Sequence, residues 1–135
     1  MRVFLDTNVL VSAFGTRGLC SDVFHVVLAE HQLVLGTTVL DELPHVLTRK
    51  FRAAESLARE ATDFLRQQAH VVEASTDVGF EIRDPDDVPV VGEALAGQVD
   101  VLVTGDADIL DVADTAPIRI LSPRAFWESL RTEGR

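Results

Sequence analysis

Short apolar, β-branched runs recur along the chain at 2–5 (RVFL), 32–35 (QLVL), 70–74 (HVVEA), 99–103 (VDVLV) and 118–121 (IRIL), each bounded by Gly, Thr, Ser or Pro. Runs of this length with little alternation predict strands buried on both faces. Between them the period changes. Residues 21–31 predict a helix capped by Ser21 or Asp22, with Val23, Val26, Val27 and Leu28 near one side. Residues 53–69 place Leu57, Ala61, Phe64 and Leu65 at helical spacing, with Glu, Arg and Gln opposite, which predicts an amphipathic helix on that face. Thr38 and Asp41 have the form of a capping box opening a helix over about 39–50, which Pro44 should kink or delay. Helices over 86–96 and 124–132, the second behind Ser122-Pro123, complete the pattern.

Strands alternating with helices imply right-handed crossovers and a mostly parallel sheet covered on both faces. The expected class is therefore α/β, a three-layer α/β/α sandwich around a central sheet of about five strands. With 135 residues and no repeat or linker, residues 1–135 are expected to form a single domain. A hydrophobic fraction of 47% is high, yet no apolar run approaches the ~18 residues of a membrane span. Asp6 and Asn8 interrupt the first apolar stretch as no secretory leader would tolerate, so a cytoplasmic location is expected. Cys20 is the single cysteine, which excludes an internal disulfide and a thiolate metal cage.

In such sheets ligands sit beyond the carboxyl ends of the strands, so polar residues closing a strand carry the interest. Asp6 closes the first run. Asp106 closes VDVLVTGD, with Asp108 two residues on; Asp84, Asp86 and Asp87 stand in RDPDDVPVV; Glu42 lies in the opening turns of the helix after GTTVL. All are positioned to converge on one edge. Two carboxylates ~4 Å apart repel by about 1 kcal/mol in water and about 4 kcal/mol at an effective dielectric of 20. The chain has one lysine, Lys50, and no arginine beside Asp6 or Asp106 to offset this. A hard divalent cation suits an all-oxygen donor set, which points to Mg²⁺ or Mn²⁺ and to phosphodiester hydrolysis. None of the histidines His25, His31, His45 and His70 pairs with a serine-centred motif, so a hydrolase triad has little support. The net charge of −10 argues against phosphate binding over the whole surface. TRKFR, with Arg49, Lys50 and Arg52, and Arg17 in GTRG are the candidates for contact with substrate phosphates; a basic helix end complementing the dipole is at least as good a reading of the cluster.

With these residues in view, the sequence resembles a PIN domain, in particular the bacterial PIN-family toxins of toxin–antitoxin pairs. The likeness runs through FLDTNVLVSA, TTVLDEL at 37–43, DPDDVPVVGEAL at 84–95 and VDVLVTGDADIL at 99–110. It implies a Mg²⁺- or Mn²⁺-dependent endoribonuclease whose acidic quartet falls on Asp6, Glu42, Asp87 and Asp106. Asp6, Asp87, Asp106 and Asp108 would be the metal ligands, with Thr7, Asn8, Asp84 and Thr104 supporting them. Glu42 would serve a second metal or orient the attacking water. A homodimer and a cognate antitoxin are the implied partners. Ala107 departs from the lysine or polar residue that relatives often carry there.

Two alternatives remain open on sequence. A haloacid-dehalogenase-type phosphatase would use the aspartate closing the first strand as nucleophile. Asn8 stands where that family needs a second acid, and no lysine follows Lys50. The other alternative is a catalytically inactive PIN fold kept for protein binding.

Overall fold

The computed structural model describes residues 1–73 and 87–132. Five strands, β1 (Arg2–Leu5), β2 (Gln32–Gly36), β3 (His70–Val72), β4 (Val101–Val103) and β5 (Arg119–Leu121), form one sheet in the order β3-β2-β1-β4-β5. Every pairing is parallel, with Val3 opposite Leu33 on one side and Val101 on the other. Successive strand residues face opposite sides of a sheet, and Val3, Phe4 and Leu5 are all fully buried. Both faces of β1 are thus covered, as a parallel sheet requires.

Seven helices supply that cover among the described residues: α1 (Thr7–Gly15), α2 (Leu19–Glu30), α3 (Thr37–Phe51), α4 (Glu55–Gln68), α5 (Val88–Ala96), α6 (Ala107–Leu110) and α7 (Pro123–Thr132). The expected α/β sandwich and its five strands are present. β3 ends at Val72, with residue 74 outside the described residues, and β4 starts at Val101, not at 99.

Several local expectations need correction. A helix over Thr7–Gly15 was not anticipated, because Val9, Leu10 and Val11 form an apolar run without a helical stripe; all three are buried. α2 begins at Leu19 behind Gly18, whose φ of 142° is open to glycine alone, so neither Ser21 nor Asp22 is its cap. α3 begins at Thr37 behind Gly36 without a side-chain cap of its own, so Thr38 and Asp41 form no capping box. Pro44 lies inside α3, which continues to Phe51. It neither stops the helix nor delays its start. On α4 the inward face is Ala58, Thr62 and Leu65, whereas Leu57 is 59% and Phe64 42% exposed. Of the expected apolar stripe only Leu65 is buried, because the helix turns its smaller residues toward the close packing with α3.

The strand order reverses beside β1: the chain moves outward through β2 and β3, then returns to place β4 on the other side of β1. The carboxyl ends of β1 and β4 therefore lie side by side at a topological switch point, where open α/β sheets bind their ligands.

Candidate active site

Asp6 leaves β1 in extended conformation and caps α1, and Asp106 leaves the β4 side in the same way and caps α6. Each strand thus hands its terminal carboxylate to the start of a helix. The Asp6 backbone N–H still donates to the Val103 carbonyl at 3.0 Å, which extends the ladder to the last residue before the turn and fixes the acid against β4.

The Asp6 side chain, 5% exposed, is gripped by three donors. The Thr7 N–H donates to Oδ1 at 2.7 Å, the Thr104 hydroxyl to Oδ2 at 2.7 Å, and Asn8 Nδ2 to Oδ2 at 3.3 Å. Thr104 is fully buried, and its hydroxyl oxygen in turn accepts the Asp106 N–H at 3.0 Å. Asn8 does the same across the turn, its Oδ1 accepting the Gly105 N–H at 2.9 Å. Two polar residues, one behind each strand, thereby tie the two acidic turns together. Thr7 makes a third link: its hydroxyl donates to Glu42 Oε2 at 3.0 Å, bringing α3 to the same edge.

Burial raises the Asp6 carboxyl above its ordinary value; the donors from Thr104 and Thr7 oppose this, and the nearby carboxylates of Glu42 and Asp106 add to it. Among the described residues, no cation is among the groups that act on it.

Asp87, at the start of α5, joins Asp106 and Asp108 in a group whose nearest carboxylate oxygens all lie within 4.8 Å of one another. Asp87 is 9% exposed and the other two half-buried. The Asp108 N–H donates to Asp106 Oδ1 at 2.8 Å. The donor set is all oxygen, and it suits a small hard cation. Asp6 stands against this trio and is not one of the three; it presents one remaining lone pair beyond its three donors.

Of the sequence candidates, Asp6, Thr7, Asn8, Glu42, Asp87, Thr104, Asp106 and Asp108 meet at this edge. Asp84 and Asp86 lie outside the described residues. Arg17, Arg49, Lys50 and Arg52 are exposed at the far ends of α1 and α3. Gly15 and Phe51 approach so closely there that a Cβ on Gly15 would fall within the Phe51 ring. Arg49 and Lys50 lie about 10–12 Å along α3 from Glu42. A groove of about 650 Å³ between α3 and α4, lined by Asp41, His45, Arg49 and Arg66 among others, includes none of the site acids.

Sequence reasoning missed Glu93. It is fully buried on α5, where Thr38 N–H donates to its Oε2 at 2.8 Å and the Thr37 hydroxyl at 3.1 Å. The available signal was a single charge within the apolar stretch VPVVGEALA.

A family model described as PIN domain matches residues 2–108. Among solved structures, the chain is similar to VapBC2 from Rickettsia felis bound to a DNA fragment from their promoter, at 17% identity and a TM-score of 0.61, covering 90% of this chain and 97% of the other. It is similar also to VapBC-1 from nontypeable Haemophilus influenzae, at 16% identity and a TM-score of 0.62, covering 92% and 99%. At these identities the likeness is one of fold. No curated protein matches the chain.

Proposed function

The chain belongs to the PIN domain family, and from that premise we propose that it is a Mg²⁺- or Mn²⁺-dependent endoribonuclease, the toxin of a toxin–antitoxin pair. The observation that carries the reading is the convergence of Asp87, Asp106 and Asp108 within 4.8 Å, beside an Asp6 that no cation among the described residues compensates. Membership of this family leaves the phosphatase alternative without support. Residues 1–135 are read as one nuclease domain.

Asp87, Asp106 and Asp108 would hold the divalent ion, with Asp6 completing the set directly or through water. When bound, the ion supplies charge stabilisation for the phosphoryl and leaving oxygens and acidifies water. The protein's own residues do the rest. Thr104 and Asn8 hold Asp6 and the Asp106 turn in one geometry, so that little reorganisation is needed on substrate binding. Glu42, with one oxygen engaged by Thr7, has the other available to accept a proton from water attacking phosphorus in line with the departing 3′ oxygen. That water forms the new P–O bond as the P–O3′ bond breaks, leaving a 5′ phosphate and a 3′ hydroxyl.

RNA is the proposed substrate and a cognate antitoxin the proposed partner; the likeness in fold to VapBC complexes supports the latter. Arg17, Arg49, Lys50 and Arg52 would contact phosphates flanking the cut. The protein is read as cytoplasmic and homodimeric, and among the described residues no helix is long and apolar enough to cross a membrane. The test is cleavage of single-stranded RNA with Mn²⁺ by the wild-type protein and by Asp6→Asn. Metal-dependent cutting that the substitution abolishes supports the reading, and equal cutting by both removes Asp6 from the site.

A further inference from the structure

Glu93 takes no part in the acidic edge, yet it is a fully buried carboxyl group with no cationic partner among the described residues. Burying such a group is costly unless its oxygens are hydrogen-bonded. Its Oε2 accepts from Thr38 N–H at 2.8 Å and from the Thr37 hydroxyl at 3.1 Å, while its buried Oε1 has no partner among the described residues. Both donors belong to the first turn of α3, a helix that starts behind Gly36 with no side-chain cap of its own. The room for this contact comes from Gly36, where a Cβ would fall on the Glu93 carboxyl group. A missing side chain, a carboxyl of the right length and two donors are thus matched at one point. A carboxylate is also favoured at that end of a helix by the dipole.

Each of the two helices so joined carries one of the functional acids. Asp87 directly precedes α5, six residues before Glu93, and α3 presents Glu42 five residues after Thr37, about 7.5 Å along its axis. Glu42 is otherwise located by its contact with Thr7. We infer that Glu93 is a positioning residue for the proposed nuclease: by capping α3 from α5, it holds Glu42 in register with Asp87 across the site. It touches neither substrate nor metal. The inference rests on the endoribonuclease reading for its catalytic consequence, though not for the contact itself.

The test is a double-mutant cycle. Glu93→Leu keeps the bulk and removes the acceptor; it lowers kcat for RNA cleavage by about tenfold to a hundredfold, the scale of an ångström-level misplacement of a catalytic group. KM stays within about twofold of wild type, because no substrate contact is lost. Glu93→Gln keeps an acceptor oxygen and restores most of the rate. In a Glu42→Gln background, Glu93→Leu has no further effect, since it acts through Glu42. An unchanged kcat in Glu93→Leu, or the same loss with and without Glu42, overturns the inference. If Glu93→Leu does not fold, Thr37→Val removes one donor and gives the same comparison at smaller amplitude. If the wild-type protein cuts no RNA, the nuclease reading fails, and positioning is read from the side-chain carboxyl NMR resonance of Glu42. Glu93→Leu shifts that resonance and Glu93→Gln leaves it in place; its constancy in both overturns the claim independently.

Discussion

Thr104 donates its hydroxyl to Asp6 across 98 positions of sequence, at 2.7 Å and out of contact with solvent. The same oxygen receives the Asp106 N–H, so one buried hydroxyl joins the acids that close two neighbouring strands.

Thr104→Val therefore has two consequences. It leaves the partly buried Asp106 N–H without its acceptor, costing about 1 kcal/mol, and it removes a donor that holds the Asp6 carboxyl down, so that carboxyl rises further. Thr104→Ser retains both bonds. Urea unfolding and RNA cleavage should show Val impaired on both measures and Ser close to wild type.

Glu93 gives stability a pH dependence of definite sign. Burial, the largest effect, lifts its carboxyl above the ordinary 4.5, against the donors from Thr38 and Thr37 and with a smaller upward push from Asp41. Below 4.5 folded and unfolded chains both carry the proton, and stability is undiminished. As pH rises through the folded value, the folded protein must ionise a buried acid and loses stability. Relative to wild type, Glu93→Gln should thus gain stability as pH is raised from about 4.5, then level off. Urea midpoints across pH 4 to 8 check the direction; a difference that falls with pH would contradict it.

Gly36 and Glu93 should couple. Gly36→Ala places a methyl on the Glu93 carboxyl, and overpacking of this kind costs about 1–3 kcal/mol. Glu93→Ala opens space beside it, so the double variant should lose less than the two single losses together. Chemical denaturation of all four proteins measures the interaction.

The faces of α4 are distinguished by truncation. Leu65→Ala, at a fully buried position, should cost about 2–5 kcal/mol. Leu57→Ala, at a position 59% exposed, should stay within about 0.5 kcal/mol. Equal losses in urea unfolding would mean that Leu57 is packed as the sequence stripe implies.

That stripe shows where sequence reasoning stops. The strands were legible because β-branched runs buried on both faces need no partner to be recognised, and the strand-closing acids Asp6 and Asp106 followed from the sheet's polarity. The phase of α4 was not legible. Leu57, Ala61, Phe64 and Leu65 make a good apolar stripe, yet only Leu65 of these is buried, beside Ala58 and Thr62, a choice made by the neighbouring helix and not by periodicity. α1 was hidden because its start lies in the side chain of Asp6, a residue that reads equally well as the end of a strand. The cap of α3 was hidden because its acceptor, Glu93, comes from 55 residues away. Glu42 was placed by its motif, but its contact with Thr7 appears only when α1 and α3 are packed together.

The most direct measurement is calorimetric titration of the metal-free protein with Mn²⁺, run beside the Asp87→Asn, Asp106→Asn double variant. The account predicts saturable binding to the wild-type protein that the double variant loses. Absence of binding in the wild-type protein, or equal binding in both, would contradict it.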